Sequence, residues 1–295
     1  MGGIRAAAIV GMVFLVANHT CIYAWQSFEA GTFVRSASVG DAVSAVNFGA
    51  DSVHKNPGSL SRVMGTEVQF TASQEFDSAI FIARAGVMGN VDKFRYSVQL
   101  PIKTIQGLIK TQSDDSGQGI TTGTYSDQQM SLMATLATDW NSASWGLTLR
   151  SLSQTIDSDS GSGFGFDIGV LKEISPQLSV GGSVRNLMTS VGWSGKSTET
   201  VPMAVSTGLR YLPQPKMQLM GELDYIDRKF RVNVGGTYGM SPSVELRAGV
   251  NSVLDAPQVR LGVGLNMGTA ALDYGFSQVD LLGVSHRVGV RYVLL

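Results

Sequence analysis

Apolar and polar residues alternate along the last third of the chain. Between Val259 and Met267 every odd position is apolar, whereas the even positions hold arginine, glycine or asparagine. From Ala270 to Ser277 the even positions are alanine, leucine, tyrosine and phenylalanine, and the odd positions are alanine, aspartate, glycine and serine. Because successive side chains of a β-strand point to opposite faces, each segment predicts a strand with one apolar and one polar face.

Segments of this kind recur upstream. Each is roughly 9 to 11 residues long, the length that crosses a bilayer at a tilt. A soluble sandwich also alternates, but the number of segments favours an all-β fold, a transmembrane antiparallel β-barrel of about 14 strands. One alternative stays open. If Pro101 ends its strand, 103–111 is a separate crossing and 66–73 is not a wall strand. The expected strand count lies between roughly 12 and 16. The predicted strands lie near 66–73, 77–86, 92–102, 130–140, 144–152, 163–172, 178–186, 203–211, 217–225, 230–239, 243–251, 259–267, 270–278 and 284–294.

The connections between the predicted strands alternate in length. With a periplasmic C-terminus, the long polar stretches 111–127, 154–162 and 187–200 all fall outside the cell, and short turns such as 175–177 and 241–242 all fall inside. This parity is typical of outer-membrane barrels. Aromatic residues near the predicted membrane faces match the interfacial girdles of such barrels: Trp140, Trp145, Tyr211, Tyr225, Tyr238 and Tyr292.

The start of the chain has the pattern of a secretion signal peptide. Arg5 supplies a positive n-region, residues 6–17 form an apolar h-region, and Ala24 is a small residue before the predicted cleavage. The apolar run of about 12 residues is short of the ~20 that a membrane-spanning helix needs, which disfavours an N-terminal anchor. We therefore predict a signal peptide at 1–24, a hatch segment at 25–65 and an outer-membrane β-barrel at 66–295.

Composition and charge narrow the function classes. Charged residues make up 15% of the chain, below the ~25% of soluble domains. The formal net charge is -1, which gives no basis for a nucleic-acid partner. The single cysteine, Cys21, lies in the predicted signal, so we expect no disulfide and no thiol chemistry in the mature protein.

The predicted inner faces of the strands combine charges of both signs with many glycines. Mixed signs around one lumen favour cross-strand ion pairs or a wet interior over a charge-selective filter. Glycine weakens a strand unless a close backbone approach requires it, so the inner glycines indicate that something packs against the wall. The predicted lumen-lining residues are Arg150, Arg185, Arg210, Glu222, Arg247, Arg260, Asp273, Arg287 and Arg291. The inner glycines are Gly146, Gly165, Gly169, Gly181, Gly208, Gly235, Gly249, Gly262, Gly264, Gly275 and Gly289.

The best candidate for the packing element is the segment 25–65, which lacks strand alternation. It holds a glycine among small residues at 38–45 and an acidic residue, Asp51, ahead of a short motif. The motif residues are Asn56, Pro57, Gly58, Ser59 and Leu60. This pattern resembles the N-terminal hatch of the PorV/PorQ group of outer-membrane proteins, which is related to the FadL-type fatty-acid transporters. In that family an Asn-Pro-Ala-Gly-Leu stretch lies just ahead of the first strand, whereas here glycine and serine replace its alanine and glycine.

The resemblance implies a function in the bacterial outer membrane without choosing between two roles. FadL-type relatives are thought to pass hydrophobic molecules through a hatch-filled barrel, and PorV-type relatives serve protein secretion as accessory barrels. The partners that this resemblance implies are hydrophobic small molecules or secreted protein cargo. The barrel pattern itself implies outer-membrane lipid as a partner, and the last strand, 284–294, resembles the C-terminal signal that the barrel-assembly machinery reads during biogenesis. Met133 and Met220 on predicted inner faces suit a path for irregular apolar ligands, although lumen packing explains them equally well.

Two further function classes compete with these roles. A passive structural barrel or general porin would have an open, charge-lined lumen. An outer-membrane enzyme would normally need a nucleophile beside a histidine base, and the predicted mature chain holds only His54 in the hatch and His286 on the lipid-facing side. Since it also lacks cysteine and a calcium-type loop, we predict no catalytic residue, no cofactor and no metal site.

Overall fold

The wall of the protein is a closed antiparallel β-barrel. A computed structural model describes residues 33–62, 65–113, 118–195, 197–254, 256–279 and 282–294. The strands are β1 Thr66–Glu75, β2 Ile80–Val91, β3 Phe94–Ser113, β4 Gly119–Trp140, β5 Ala143–Ile156, β6 Asp159–Ser175, β7 Leu178–Trp193, β8 Thr198–Thr200, β9 Ala204–Gln214, β10 Met217–Ile226, β11 Lys229–Ser241, β12 Val244–Asn251, β13 Gln258–Asn266, β14 Ala270–Val279 and β15 Gly283–Leu294. Each wall strand pairs with its neighbours in sequence, and β1 closes the ring with β15. The three-residue β8 pairs only with β7, so fourteen strands form the wall.

The first strand belongs to the wall, which settles the alternative raised by Pro101. Strand β1 pairs with β15 from Thr66 opposite Leu294, and its other edge pairs with β2. Strand β3 continues through Pro101, which lies opposite Arg84 of β2. The prediction of fourteen strands is therefore confirmed, and 103–111 is the outer part of β3 rather than a separate crossing.

The predicted outer loops are largely strand. Strands β3 and β4 form a ribbon that rises beyond the wall, because pairing with β2 ends at Ile105 and pairing with β5 ends at Asp127. Strands β5 and β6 meet at a tight turn at Asp157, and β7 runs on to Trp193. The prediction of long loops was wrong here, because both faces of a strand outside the bilayer meet water and the apolar-polar alternation disappears while the backbone pairing persists.

The outward face of the wall is an apolar band. Leu261 is 49% exposed, whereas its neighbour Arg260 points inward and is 7% exposed. Contiguous apolar surface of this extent is not tolerated in water, and lipid is the medium that covers it. The girdle aromatics also point outward: Trp140, Trp145, Tyr211, Tyr225, Tyr238 and Tyr292. Among the described residues, no helix is both long and apolar enough to cross a bilayer.

A charge on the lipid-facing band is expected to be costly. Leu261 lies opposite Ala248 and Phe276 in the middle of its strands, so Leu261→Arg should reduce the free energy of unfolding in lipid vesicles by roughly 2–4 kcal/mol. Ile120 is equally exposed but lies on the outer ribbon, so Ile120→Arg should cost less than about 0.5 kcal/mol. Equal costs in urea titrations would contradict the placement of the band.

The described part of the hatch, residues 33–62, lies inside the barrel. It forms two short helices, α1 Val34–Ser38 and α2 Ala50–Val53, followed by a 3₁₀-helix Pro57–Arg62. Helices this short are unstable alone, so tertiary packing fixes them. One apolar cluster joins the hatch to wall residues Met88 and Ala137, and a second joins it to Met220. The predicted signal peptide, 1–24, lies outside the described residues.

Candidate functional site

The contact between the hatch and the inner wall is the candidate functional site. Nine of the eleven inner glycines face the hatch, and a β-carbon at any of the nine would lie within 3.1 Å of a hatch atom. We call this set the glycine wall: Gly146, Gly169, Gly181, Gly208, Gly235, Gly249, Gly262, Gly275 and Gly289. Backbone or side-chain atoms of the hatch approach the strands this closely only because the glycines have no side chains.

The two remaining inner glycines serve the wall itself. A β-carbon at Gly165 would meet Thr189 of β7, and one at Gly264 would lie 2.4 Å from Nη2 of Arg247. Gly264 belongs to β13, which separates β12 from β14. Its missing side chain leaves room for Arg247 on β12 to reach Asp273 on β14 across the intervening strand.

The Asn-Pro motif forms a fixed turn on the glycine wall. The Asn56 Oδ1 atom accepts a hydrogen bond from the Gly58 N–H at 2.9 Å, which closes a local turn. Its Nδ2 donates to the backbone oxygens of Ser44 at 2.6 Å and Val170 at 2.9 Å, so one side chain joins two hatch segments to β6. The backbone of Pro57 lies over Gly146.

Gly58 stands where the family motif has alanine, and the structure gives a steric reason for the glycine. A β-carbon at Gly58 would lie 2.8 Å from the Ser144 carbonyl oxygen and 2.8 Å from the Val170 Cα. Both atoms belong to wall backbone, which cannot swing away as a flexible side chain can. Leu60 follows the turn and is completely buried in the apolar cluster with Phe33. The motif therefore anchors the hatch by hydrogen bonds, close approach and apolar burial together.

Lys55, the residue before the motif, ties the hatch to β10. Its Nζ lies 2.8 Å from Oε1 of Glu222 and 2.9 Å from Oδ2 of Asp224. Burial opposes the charge on Lys55, but the attraction of Asp224 and Glu222 outweighs it and raises the pKa above its ordinary value. Ser183 of β7 also donates to the Lys55 carbonyl oxygen at 2.6 Å. The hatch is thus held by a buried ion-pair cluster, in which each partner depends on the others.

A second charged contact joins the two hatch helices to β1. The Arg35 Nε lies 2.6 Å from Oδ2 of Asp51, and Gln69 of β1 donates to the other oxygen of the same carboxylate. Burial disfavours the charged form of Arg35, but the nearby carboxylates, above all that of Asp51, outweigh burial and raise the pKa of Arg35 above its ordinary value. The guanidinium of Arg84 lies 4.4 Å from the centre of the Phe33 ring, a cation–π contact at the start of the hatch.

The predicted lumen-lining residues point inward and most form ion pairs. Arg150 forms an ion pair with Asp167 between β5 and β6. Asp273 pairs with two arginines: its Oδ1 lies 2.7 Å from Nη1 of Arg247, and its Oδ2 lies 3.0 Å from Nε of Arg291. Three further ion pairs join Arg287 to Glu75 at 2.7 Å, Arg260 to Asp41 at 3.7 Å, and Glu222 to Lys55. Arg210 donates a hydrogen bond to Ser179 at 2.7 Å. Arg185 lines a small cavity beside His54. Paired charges of both signs give the lumen no single-sign filter.

The hatch residues that form ion pairs in the lumen could not be identified from the sequence. Asp41, Asp51 and Lys55 follow no strand period, so no pattern assigns their partners. A usable signal existed nonetheless, because charges carried into a barrel lumen must pair with lumen charges of opposite sign. Within the described ranges, no group of three or more histidine, cysteine, aspartate or glutamate side chains is arranged to hold a metal ion.

His54 is a buried histidine of the hatch, and its surroundings predict that hatch docking depends on pH. The ring is 1% exposed, and neither of its nitrogens makes a hydrogen bond of normal geometry. Burial lowers the pKa of His54 well below its ordinary value, and the neighbouring cations Arg84, Arg185 and Lys55 lower it further. The docked hatch therefore holds a neutral imidazole, whereas a released hatch has an ordinary histidine with a pKa near 6.5.

We expect hatch docking to weaken as the pH falls below about 6.5, by up to about 1.4 kcal/mol per pH unit, because the released state gains a proton that the docked state rejects. Above that pH the contribution is fully present. Hydrogen exchange of hatch peptides between pH 5 and 8 measures this slope. The His54→Gln variant serves as the control and should show a flatter profile. An unchanged slope in His54→Gln would assign the pH dependence to the lumen carboxylates instead.

Solved structures share this architecture. No protein-family model matches the sequence, and no curated protein matches it. The toluene transporter TodX of Pseudomonas putida superposes with a TM-score of 0.69 at 11% identity, covering 88% of this chain and 98% of that chain. The CymD monoaromatic hydrocarbon channel superposes with a TM-score of 0.65 at 11% identity, covering 90% of this chain and 98% of that chain. A FadL homologue of Pseudomonas aeruginosa superposes with a TM-score of 0.64 at 9% identity, covering 89% of this chain and 98% of that chain. At these identities the likeness establishes the fold alone, a β-barrel.

Proposed function

We propose that this chain is an outer-membrane channel that passes small hydrophobic molecules past a hatch held in its lumen. The observation that carries the proposal is the Asn56–Pro57 turn seated on the glycine wall inside a FadL-like barrel. Two proteins of that fold, TodX and CymD, are described as a toluene transporter and a monoaromatic hydrocarbon channel. The proposal places the protein in the bacterial outer membrane and gives it no enzymatic role.

The packing of the lumen supports a hydrophobic cargo over free passage of water-soluble solutes. Most of the predicted lumen charges are paired, and the hatch occupies the space between the wall strands. An apolar cluster lies toward the outer side, where Leu152 and Val191 pack with Val201 and partly buried Trp193. Apolar side chains at this end can take a hydrophobic molecule from the outside at little desolvation cost, whereas an ion has to leave its hydration shell.

A second candidate function is an accessory barrel in protein secretion. It is favoured by the resemblance of the motif from Asn56 to Leu60 to the PorV/PorQ hatch. The ribbon of β3 and β4 beyond the wall adds a surface on which a secreted protein could dock. A strain without this protein that kept its hydrocarbon uptake but lost secreted proteins would favour this second function.

The test is uptake of toluene by cells that produce the protein, with sucrose as a polar control of larger size. A β-carbon at Gly208 would lie 3.1 Å from the Ser44 Cβ, close to the roughly 3.5–4.5 Å of a disulfide. The pair Ser44→Cys and Gly208→Cys therefore pins the hatch when oxidised. Gly221 has open space around a β-carbon, so Ser44→Cys with Gly221→Cys is the unlinked control.

We expect the protein to raise toluene uptake but not sucrose uptake. Oxidation should reduce toluene uptake in the Gly208 pair at least about fivefold, and reduction should restore it, because a tethered hatch cannot shift within the lumen to let the molecule pass. The Gly221 pair should respond to neither treatment. Toluene uptake equal to that of cells without the protein, or equal entry of toluene and sucrose, would overturn the proposal.

A further inference from the structure

A groove crosses the lipid-facing side of the wall near its predicted periplasmic end, beside the turn between β4 and β5. Strand register sets four lipid-facing residues side by side across β5, β6, β7 and β9: Trp145, Val170, Gly182 and Thr207. Because Gly182 has no side chain, the surface drops between the valine and the threonine. The groove has a volume of about 510 Å³, within the roughly 300–1,000 Å³ of small-molecule sites. We call it the wall groove, and its lining includes Trp140, Trp145, Val170, Lys172, Gly182 and Thr207.

Two tryptophans form one edge of the wall groove. Trp140 ends β4 and is 65% exposed, and Trp145 near the start of β5 is 42% exposed. Their ring centroids lie 6.2 Å apart. Indole rings favour the depth of a membrane at which acyl chains meet polar head groups, because the ring is apolar and its N–H is polar. The wall groove therefore lies where the head group of a lipid joins its acyl chains.

Lys172 places a positive charge on the lipid-facing side of the wall groove. The lysine is exposed, and its lipid-facing neighbours along β6 are Val170 and Ile174, so it lies within the apolar band. Its neighbours on β5 and β7 are Ala143 and Val180, which carry no charge. No hydrogen bond or ion pair joins the lysine side chain to any residue that the structure describes. A charge on a lipid-facing wall is costly, so its counter-charge has to come from the membrane.

A second groove on the lipid-facing wall lacks such a cation. It lies over Gly236, beside Tyr238 and Leu261, and has a volume of about 500 Å³. Its charged lining residue, Arg247, is 5% exposed and pairs with Asp273 in the lumen. Both grooves offer an apolar depression to an acyl chain, but of the two the wall groove alone adds an outward charge. This difference favours a ligand that has both a chain and an anionic group.

We propose that the wall groove binds an anionic phospholipid, with its phosphate on the Lys172 ammonium and one acyl chain lying over Gly182 beside Trp145. The lysine stem lies along apolar surface while its charged end reaches the head groups. One lysine near a membrane surface attracts anionic lipid about fivefold over a lipid without net charge. The site goes beyond the passage of hydrophobic molecules proposed above and does not depend on it, because it rests only on the wall lying in a bilayer.

The experiment measures which lipid contacts the groove tryptophans. In the full-length protein, Trp25 and Trp193 are replaced by phenylalanine, so that Trp140 and Trp145 are the tryptophans that fluoresce. The protein is placed in phosphatidylcholine vesicles in which about a tenth of the lipid carries bromine on its acyl chains, and bromine quenches a tryptophan that it contacts. The brominated lipid is either phosphatidylglycerol, which is anionic, or phosphatidylcholine. We expect an apparent affinity about fivefold higher for phosphatidylglycerol, and a smaller ratio at high salt.

Variants of the charge test the head-group contact. Lys172→Gln should reduce the fivefold ratio to about one, because the cation that attracts the phosphate is gone. Lys172→Arg keeps the charge and should keep the ratio. Lys216→Gln is the matched control, because Lys216 is exposed in the short turn between β9 and β10 at the same end of the barrel and does not line the wall groove.

Variants of the shape test the chain contact. A β-carbon at Gly182 would meet the Ser206 carbonyl oxygen at 3.5 Å, an ordinary contact, so a leucine there is accommodated and fills the groove. Gly182→Leu should therefore reduce the ratio to less than about twofold, since the acyl chain loses its place. Gly221→Leu is the matched control, because nothing lies within 4 Å of a β-carbon at this strand glycine. It should keep the ratio.

The outcomes separate the wall groove from ordinary lipid around a barrel. A ratio that is lost in Lys172→Gln and Gly182→Leu and kept in the two controls supports the site. Equal quenching by both lipids in the unmodified wall would overturn the proposal, as would a ratio that survives Lys172→Gln or falls equally in Lys216→Gln. A ratio that survives Gly182→Leu would mean a surface charge without a groove and would also overturn it. If Gly182→Leu does not fold, the exposed Lys172 variants carry the test.

Discussion

Replacing Gly146 with valine is expected to lift the hatch off the wall and to raise the ionic conductance of the barrel. A β-carbon at Gly146 would lie 2.3 Å from the carbonyl carbon of Pro57 and 2.6 Å from the Gly58 nitrogen. Overpacking in a core typically costs about 1–3 kcal/mol, and here the obstructed atoms are backbone. A cost near the upper end, about 3 kcal/mol, shifts the docking equilibrium roughly 100-fold.

The matched control for this change is Gly221→Val. Gly221 is also a strand glycine, but nothing lies within 4 Å of its β-carbon position. Valine suits a strand, so this variant should keep the low conductance of the unmodified protein. Planar-bilayer recordings compare the two variants, and hydrogen exchange of the hatch peptides reports docking separately. Low conductance and a protected hatch in Gly146→Val would refute the close contact.

Replacing Lys55 with methionine is expected to destabilise the docked hatch by about 3–5 kcal/mol. Methionine fills much of the space of the lysine stem but leaves Glu222 and Asp224 buried without their shared cation. Removing one partner of a buried ion pair has a cost of this size, because the other charge stays desolvated. Hydrogen exchange of the hatch peptides measures the loss.

A compensated variant distinguishes lost charge pairing from lost packing. Adding Glu222→Gln and Asp224→Asn to Lys55→Met removes the orphaned charges while keeping the shapes of the side chains. We expect the triple variant to recover most of the docking free energy, since neutral replacement of a buried ion-pair cluster is often tolerated. If the triple variant docks no better than Lys55→Met alone, packing of the lysine stem is what holds the hatch.

The wall could be predicted from the sequence because membrane strands obey a simple rule. Each position faces either lipid or lumen, so the apolar side chain of Leu261 predicts the lipid-facing side and the charged side chain of Arg260 predicts the lumen, as the structure shows. The rule fails outside the bilayer. On the ribbon of β3 and β4 both faces meet water, which is why 111–127 was predicted as a loop although it is largely strand.

The candidate site could be predicted only in part. Inner glycines indicated a packing element, and Gly146 and Gly169 contact the hatch as that argument requires. The same argument could not tell them from Gly264, whose missing side chain admits Arg247 instead. The partners of Lys55 could not be predicted, because an irregular segment has no period from which to infer its contacts.

The most direct test of the account is the conductance of a barrel from which the hatch residues 37–61 have been deleted and the signal region kept. The wall strands pair with one another around the ring, including β1 with β15, so the deleted protein should still insert. Fourteen strands enclose more space than wall side chains fill, since about eight strands is the size that side chains fill alone. We predict that the intact protein conducts little and that the deleted protein conducts ions through an open, charge-lined lumen. Equal conductance of the two proteins would mean that the hatch does not close the barrel, and would contradict the account.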